Sequence, residues 1–238
     1  VYGDDSRPSV LKYLDSTGGG LHVINIASDN VGFPGNSYAS LWIGATNYGM
    51  SLINATQFYG DLTLGSPGCC GYEYDEYGCD LIWDLATLVA TGGGDVTLFA
   101  GIESSGVYSY TTGAGDDSIY VYLDGDALDR AGDSLRIDTG DGDDFVAVDS
   151  YFYQSNQWWW SENDFANHII LKNVDIITGA GNDVVELRGE GSFRVQTGEG
   201  NDVIYSGNDV IYSGNEGDKA AWVFNVDMGA MNAQGGAQ

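Results

Sequence analysis

The chain has 238 residues, of which 43% are hydrophobic and 13% aromatic, and its 8 basic and 35 acidic residues give a net charge of −27. This charge excludes nucleic acid and anionic membrane surfaces as partners, because like charges repel. The apolar content is too high for a disordered acidic tail, and no apolar run reaches the roughly 18 residues that span a bilayer. We therefore predict a folded protein that does not insert into a membrane.

The length allows one domain or two, and elongated all-β folds of this size are commonly a single domain. We predict one elongated domain over residues 1–238. Residues 1–90 would form coils without metal sites, with a cysteine-bearing loop at 65–80. Residues 91–226 would form the repeat-bearing coils. The Gly-rich tail at 227–238 is either frayed or held by a partner.

The first half of the chain predicts short strands. Residues 21–26 follow a glycine turn and alternate between apolar and polar positions, which is typical of a strand. Residues 37–64 alternate apolar segments with Gly- and Asn-bearing turns, a spacing that fits either a sandwich or the stacked coils of a β-helix. Residues 81–90 carry a β-branched and aromatic content that favours strand over helix.

The three cysteines lie within one short stretch, at Cys69, Cys70 and Cys79. A disulfide from Cys79 to Cys69 or Cys70 would close a local loop and leave an odd thiol. The alternative is that all three are reduced.

Four turns in the second half share the frame T-G-x-G-[DN]-D followed by strand residues, and they start at Thr112, Thr139, Thr178 and Thr197. Glycine accepts positive φ and lets backbone carbonyls converge, and the last Asp adds a carboxylate. Hard oxygen ligands of this kind suit Ca²⁺ better than zinc or copper. Alternatively, the Asp makes an Asx-turn hydrogen bond to the backbone that follows it.

Near the end, the segment 201–207 is repeated letter for letter at 208–214. We expect the two copies to form short sides of a roll, with Asp202 and Asp209 as neighbouring oxygen ligands. The predicted cofactor is Ca²⁺, bound as several ions. The predicted ligands are Gly113, Gly115, Asp117, Gly140, Gly142, Asp144, Gly179, Gly181, Asp183, Gly198, Gly200, Asp202 and Asp209.

These turns resemble the RTX, or haemolysin-type, calcium-binding repeat, whose consensus G-G-x-G-x-D-x-U-x builds a parallel β-roll. The two glycines and the last aspartate of each turn fill the G-x-G-x-D positions, and Thr stands where the family has its first glycine. The resemblance covers the turns of residues 112–218 and implies calcium binding and secretion. The predicted fold is therefore all-β, a right-handed parallel β-helix or β-roll-like solenoid with calcium-binding Gly-Asp turns.

Catalytic signatures are missing from the sequence: His22 and His168 are far apart, and there is no G-x-S-x-G, H-E-x-x-H or phosphate loop. We predict that the chain is not an enzyme. The alternative is a secreted carbohydrate-active β-helix enzyme that acts through acidic pairs, or through Ca²⁺ with an Arg or Lys base. Salt bridges are the expected role of the cations near the repeats, Arg130, Arg136, Lys172, Arg188 and Arg194.

The triplet Trp158, Trp159 and Trp160 cannot all face one core from a strand, because successive side chains take opposite faces. We expect either a lid over hydrophobic neighbours or an aromatic contact for a partner subunit or a sugar ring.

The functional hypothesis is an extracellular, calcium-stabilised structural protein of a surface layer, adhesive stalk or filament. Its predicted partner is itself, bound head to tail through open strand edges, with surface polysaccharide as a further candidate. A free-standing calcium-binding adhesin module is a further alternative. The start at Val1 rather than Met is expected if a leader was removed, although a chain boundary would look the same.

Overall fold

The structure, a computed structural model, describes residues 9–14, 21–28, 40–44, 46, 49–66, 81–123, 127–128, 130–149, 170–188, 190–206, 209–213 and 223–228. In these ranges the chain forms β-strands and no helix. It follows that the described ranges contain no helix suited to crossing a membrane. The prediction of an all-β protein is confirmed.

The strands form two sheets, in which almost all neighbours run parallel. In the described residues sheet I contains β1 (Ser9–Leu11), β3 (Leu41–Ile43), β5 (Leu62–Leu64), β6 (Ile82–Trp83), β8 (Val96–Ile102), β10 (Ser118–Leu123), β12 (Phe145–Asp149), β14 (Val184–Arg188), β16 (Asp202–Ser206) and β17 (Asp209–Ser213). Sheet II contains β2 (Val23–Ala27), β4 (Leu52–Gln57), β7 (Thr87–Val89), β9 (Val107–Thr111), β11 (Ser134–Asp138), β13 (Ile170–Ile177), β15 (Glu190–Gln196) and β18 (Val223–Met228).

Along most of its length the chain alternates between the sheets, so that each coil gives one strand to each. This is the parallel solenoid that the sequence predicts, and it includes the described residues of 40–64, a stretch for which a sandwich was the alternative. Strands β5 and β6 share one position in sheet I, since β5 pairs with the first part of β8 and β6 with its second part. The residues between them that carry the cysteines lie outside the described ranges.

The core lies between the two sheets, where inward side chains stack in register from coil to coil. One row in sheet I contains Leu11, Ile43, Leu64, Leu98, Ile119, Val146, Val185 and Ile204. The facing row in sheet II contains Ile24, Ile53, Leu88, Tyr110, Ile137, Ile176 and Val195. Most of these side chains are fully buried in one continuous cluster. Each buried aliphatic side chain stabilises the fold by about 1.5–3 kcal/mol.

The C-terminal end of the solenoid departs from the parallel pattern. Strand β17 pairs antiparallel with β16, and β18 pairs antiparallel with β15. At the N-terminal end, β1 and β2 keep the parallel direction of their neighbours β3 and β4. The Trp158–Trp160 triplet, His168 and the residues after Met228 lie outside the described ranges.

Candidate functional site: the stacked glycine-aspartate turns

The four T-G-x-G-[DN]-D turns lie on top of one another along one edge of the solenoid. Each joins a strand of sheet II to the next strand of sheet I. Parallel bridges connect the tips of successive turns: Ala114 to Asp141, Asp141 to Ala180, and Ala180 to Glu199. Equivalent residues of successive turns are 27, 39 and 19 positions apart in the chain. The turns stack in spite of this irregular spacing because the additional residues of the longer coils lie outside the turn itself.

The last aspartate of each turn points into the solenoid, and together these residues form an inner row: Asp117, Asp144, Asp183 and Asp202. Their exposed fractions are 2% or less. The Oδ1 atom of each accepts a backbone N–H from the preceding coil, donated by Val96, Asp117, Asp144 and Asp183 at 2.7, 2.9, 3.0 and 3.1 Å, respectively. The inner row therefore connects each coil to the one before it.

The first threonine of each turn lies beneath the inner row and is also buried. The hydroxyl of Thr139 donates to Oδ2 of Asp144 at 2.6 Å, and that of Thr178 donates to Oδ2 of Asp183 at 2.6 Å. Both oxygens of these two carboxylates thus face a donor. Sequence reasoning missed these threonines as partners of the aspartates, although their recurrence five positions before each Asp was visible.

Asp117, the first member of the inner row, differs from Asp144 and Asp183. The hydroxyl of Thr112 is directed to the backbone carbonyl of Thr139 at 2.9 Å. Since a hydroxyl has one hydrogen, Oδ2 of Asp117 is left buried without a hydrogen-bond partner.

Burial sets the protonation behaviour of Asp117, Asp144 and Asp183, because a desolvated carboxylate disfavours its charged form. It raises the pKa of Asp117 and of Asp183 to about 7, and that of Asp144 to about 6. Backbone N–H groups offset part of this rise at all three residues, threonine hydroxyls do so at Asp144 and Asp183, and neighbouring carboxylates add to it.

A second row of polar side chains lies on the outer surface of the same edge. It contains Asp61, Asp95, Asp116, Asp143, Asn182 and Asn201, all exposed. The Oδ1 atom of each of the first five accepts the backbone N–H of the next member, at 3.3, 2.9, 3.0, 2.8 and 3.2 Å in chain order. The amides of Asn182 and Asn201 also donate to the preceding member.

The two rows connect the coils in opposite directions. In the inner row the carboxylate reaches back to the preceding coil, and in the outer row it is the backbone N–H that reaches back. The carboxylates of adjacent residues such as Asp143 and Asp144 therefore bond to different neighbouring coils, Asp143 to the following one and Asp144 to the preceding one. The Asx-turn alternative predicted a bond to the following backbone, but the observed partner is a backbone N–H of another coil. Sequence reasoning did not identify the outer row as a separate set.

The turns are in direct backbone contact along the stack. Gly181, with φ 152°, has the carbonyl oxygen of Gly142 so close that a Cβ at this position would overlap it. A Cβ on Gly142 would likewise overlap the carbonyl oxygen of Gly115. Backbone hydrogen bonds of 2.8 and 3.0 Å also join neighbouring turn tips, from Gly142 to Ala180 and from Gly115 to Asp141.

These contacts decide how Ca²⁺, the ion that the resemblance implies, fits the turns. It requires six to eight oxygens at 2.3–2.6 Å, whereas the inner-row oxygens of Asp144 and Asp183 accept N–H and hydroxyl hydrogens and are closed to solvent. The described residues contain no group of three or more His, Cys, Asp or Glu side chains arranged to hold a metal ion. In this arrangement the carboxylates of Asp144 and Asp183 do not fit Ca²⁺. Calcium binding by the protein stays a prediction.

Asp209 does not extend the inner row as expected. In the antiparallel pair β16–β17, Asp202 lies opposite Ser213 and Asp209 lies opposite Ser206. The two aspartates are thus at opposite ends of the pair, separated by about 13 Å along the strand. The exact sequence repeat folds back on itself as two antiparallel strands.

Three of the cations near the repeats bind carboxylates on the sheet faces. Arg136 and Arg194 both contact Asp175, at 2.8 and 2.9 Å, and Arg188 contacts Glu186 at 3.1 Å. The salt bridges predicted for these three arginines are confirmed. His22 is exposed.

No protein-family model matches this chain, and neither a curated protein nor a solved structure does so. The likeness to the RTX repeat therefore rests on the turn residues alone.

Proposed function

We propose that this chain is an extracellular structural protein whose solenoid associates end to end, as a unit of a surface layer, adhesive stalk or filament. The observation that carries the proposal is the N-terminal end of the solenoid. There, β1 and β2 each pair with one neighbour in the described residues, so both sheets present an edge at the same end. Unpaired strand edges are templates for another chain.

The space between these two edges is lined mostly by apolar residues, together with Ser9, Asn25 and Ser40. A hollow of about 300 Å³ is continuous with the core, and its apolar lining includes Leu11, Leu14, Ile24, Leu41 and Phe58. Beside it, Val10 and Val23 are 44% and 47% exposed. A further coil at this position would continue both sheets and cover the hollow. Burial of apolar surface is the main favourable term in association.

The opposite end offers a different surface, since its strands β17 and β18 are antiparallel to their neighbours. A contact between the two ends is therefore heterologous. Heterologous contacts that do not close into a ring generate open fibres, which fits a layer, stalk or filament better than a closed dimer.

We also propose that Ca²⁺ stabilises the solenoid by neutralising the outer row. Three successive coils place the carboxylates of Asp95, Asp116 and Asp143 next to one another, about 4.8 Å apart. Their Oδ1 atoms accept backbone N–H groups, and the side chains are exposed. With a net charge of −27, cations along this row would reduce repulsion between coils. The ions would be shared along the row rather than enclosed by one turn.

The assembly is tested by a proline in β2. The carbonyl of His22 accepts N–H groups of Ser51 and Leu52 at 2.9 and 3.0 Å, so alternation directs the N–H of Val23 to the open side. Val23→Pro therefore removes an edge donor without breaking a bond between β2 and β4. The matched control is Val23→Thr, which keeps the N–H and the β-branched shape.

We expect the wild type and Val23→Thr to form large species in millimolar Ca²⁺ by analytical ultracentrifugation, with fibres or sheets in negative stain. Val23→Pro should shift the population to monomer at the same concentration. A wild type that stays a monodisperse monomer at high concentration would contradict end-to-end association, as would equal assembly of the proline variant.

A further inference from the structure

We propose that the turns starting at Thr139 and Thr178 are closed by their own threonines, so that Asp144 and Asp183 of the inner row connect their coils without a metal ion. This inference concerns different atoms from the end-to-end contact and from the cations proposed for the outer row. It departs from what the RTX resemblance implies, namely that the last Asp of each turn is a Ca²⁺ ligand.

Hydrogen-bond donors already occupy both oxygens of the Asp144 and Asp183 carboxylates. Oδ1 of Asp144 accepts the N–H of Asp117, and Oδ2 accepts the hydroxyl of Thr139. Asp183 repeats both bonds one coil later. A cation bonded to these oxygens would lie against the positive ends of these donors. The side chains are 2% and 0% exposed, so their remaining lone pairs face protein rather than an ion with its water shell.

The threonine that begins each turn is buried beside the inner row. Each turn of this chain has Thr where the RTX consensus has its first glycine. The threonines at 112, 139, 178 and 197 are between 0% and 3% exposed. A buried hydroxyl is costly unless it is hydrogen-bonded, and at Thr139 and Thr178 the bond goes to the aspartate of the same turn. The hydroxyl thus supplies the positive partner that a calcium ion would otherwise provide.

The backbones of successive turns are in direct contact. Carbonyl oxygens of Gly115 and Gly142 point at the glycine of the next turn at contact distance. The tips of the same turns are already joined by N–H to carbonyl bonds of 2.8–3.1 Å. An ion bound between turns by glycine carbonyls would require these direct contacts to open.

The test compares Thr139→Val, which removes the hydroxyl at nearly constant shape, with Thr139→Ser, which keeps it. Thermal unfolding is measured in chelator and in millimolar Ca²⁺. We expect Thr139→Val to lower the unfolding midpoint by several degrees, and by the same amount in both conditions, because no ion can replace the lost donor. Thr139→Ser should stay close to the wild type. Recovery of Thr139→Val by Ca²⁺ would overturn the proposal.

A second measurement needs no destabilised variant. Wild-type crystals soaked in millimolar Ca²⁺ should show no anomalous peak within 2.6 Å of the Asp144 or Asp183 carboxylate oxygens. A peak there, with carbonyl oxygens of the glycines completing its shell, would overturn the proposal. Peaks along the outer row, or a failure of end-to-end assembly, would leave this result unaffected, so the proposals fail independently.

Discussion

At the scale of single residues, two neighbouring positions of one turn have opposite environments. Asp143 is exposed and its carboxylate accepts an N–H of the coil that follows, whereas Asp144 is 2% exposed and its carboxylate accepts an N–H of the coil that precedes it. The outer position accepts Asn in the last two turns, because the shared role is an oxygen that accepts a backbone N–H. The inner position is Asp in all four turns, and in the turns at Thr139 and Thr178 its second oxygen accepts the threonine hydroxyl.

A pH dependence follows from the raised pKa values of Asp117, Asp144 and Asp183 in the inner row. The folded state holds protons on Asp117 and Asp183 up to about pH 7, whereas an unfolded Asp releases its proton near pH 4. The stability that these protons provide is present at low pH and is lost as pH rises through the folded pKa. We expect the free energy of unfolding, measured by denaturant titration in chelator, to fall between pH 5 and pH 8.

The contribution of the inner row can be separated from general surface repulsion with adjacent substitutions. Asp117→Asn keeps an oxygen for the N–H of Val96 and removes the titrating group, so its stability should fall less steeply with pH. The same substitution at the exposed neighbour Asp116 is the control, and it should retain the wild-type slope more closely. Equal slopes in the two variants would contradict a role of buried Asp117.

At the scale of elements, close stacking of the turns depends on glycine. We expect Gly181→Ala to destabilise the fold by about 3 kcal/mol or more, because its methyl group would overlap the carbonyl of Gly142 and the backbone cannot separate locally. Gly132→Ala is the control: it also has positive φ, 105°, but nothing lies within 4 Å of its added Cβ. It should cost only the conformational strain of about 1–2 kcal/mol. Urea unfolding of both variants compares them, and equal losses would argue against tight turn stacking.

At the scale of the whole molecule, the −27 charge opposes a compact state. Replacing Asp95, Asp116 and Asp143 together by Asn keeps the acceptor oxygens of the outer row and removes three adjacent charges. We expect this variant to melt at a higher temperature than the wild type in chelator, and to gain less from added Ca²⁺. Sodium chloride at matched ionic strength is the control for screening. A calcium response equal to that of the wild type would show that the ions bind elsewhere.

The sequence by itself determined the all-β class, and the resemblance of its glycine-aspartate turns to the RTX repeat predicted the stacked coils. Alternating apolar residues, as in Phe145–Asp149, predict a strand with one buried face, and the glycine turns predict where the chain reverses. These signals are local, because they depend on side-chain direction and backbone freedom over a few residues. The four turn aspartates were recognised as a set for the same reason.

Only the tertiary structure decided what those aspartates do. Each inner carboxylate bonds to a residue 19 to 39 positions away, and a local frame cannot tell which of two adjacent acids will face the preceding coil. The sequence left the direction of the strand that carries Asp209 undetermined for the same reason. An exact repeat can stack in parallel or fold back as β16 and β17 do. Burial, and with it the hydrogen bonding and pKa of each acid, is a property of the stacked coils and not of the single turn.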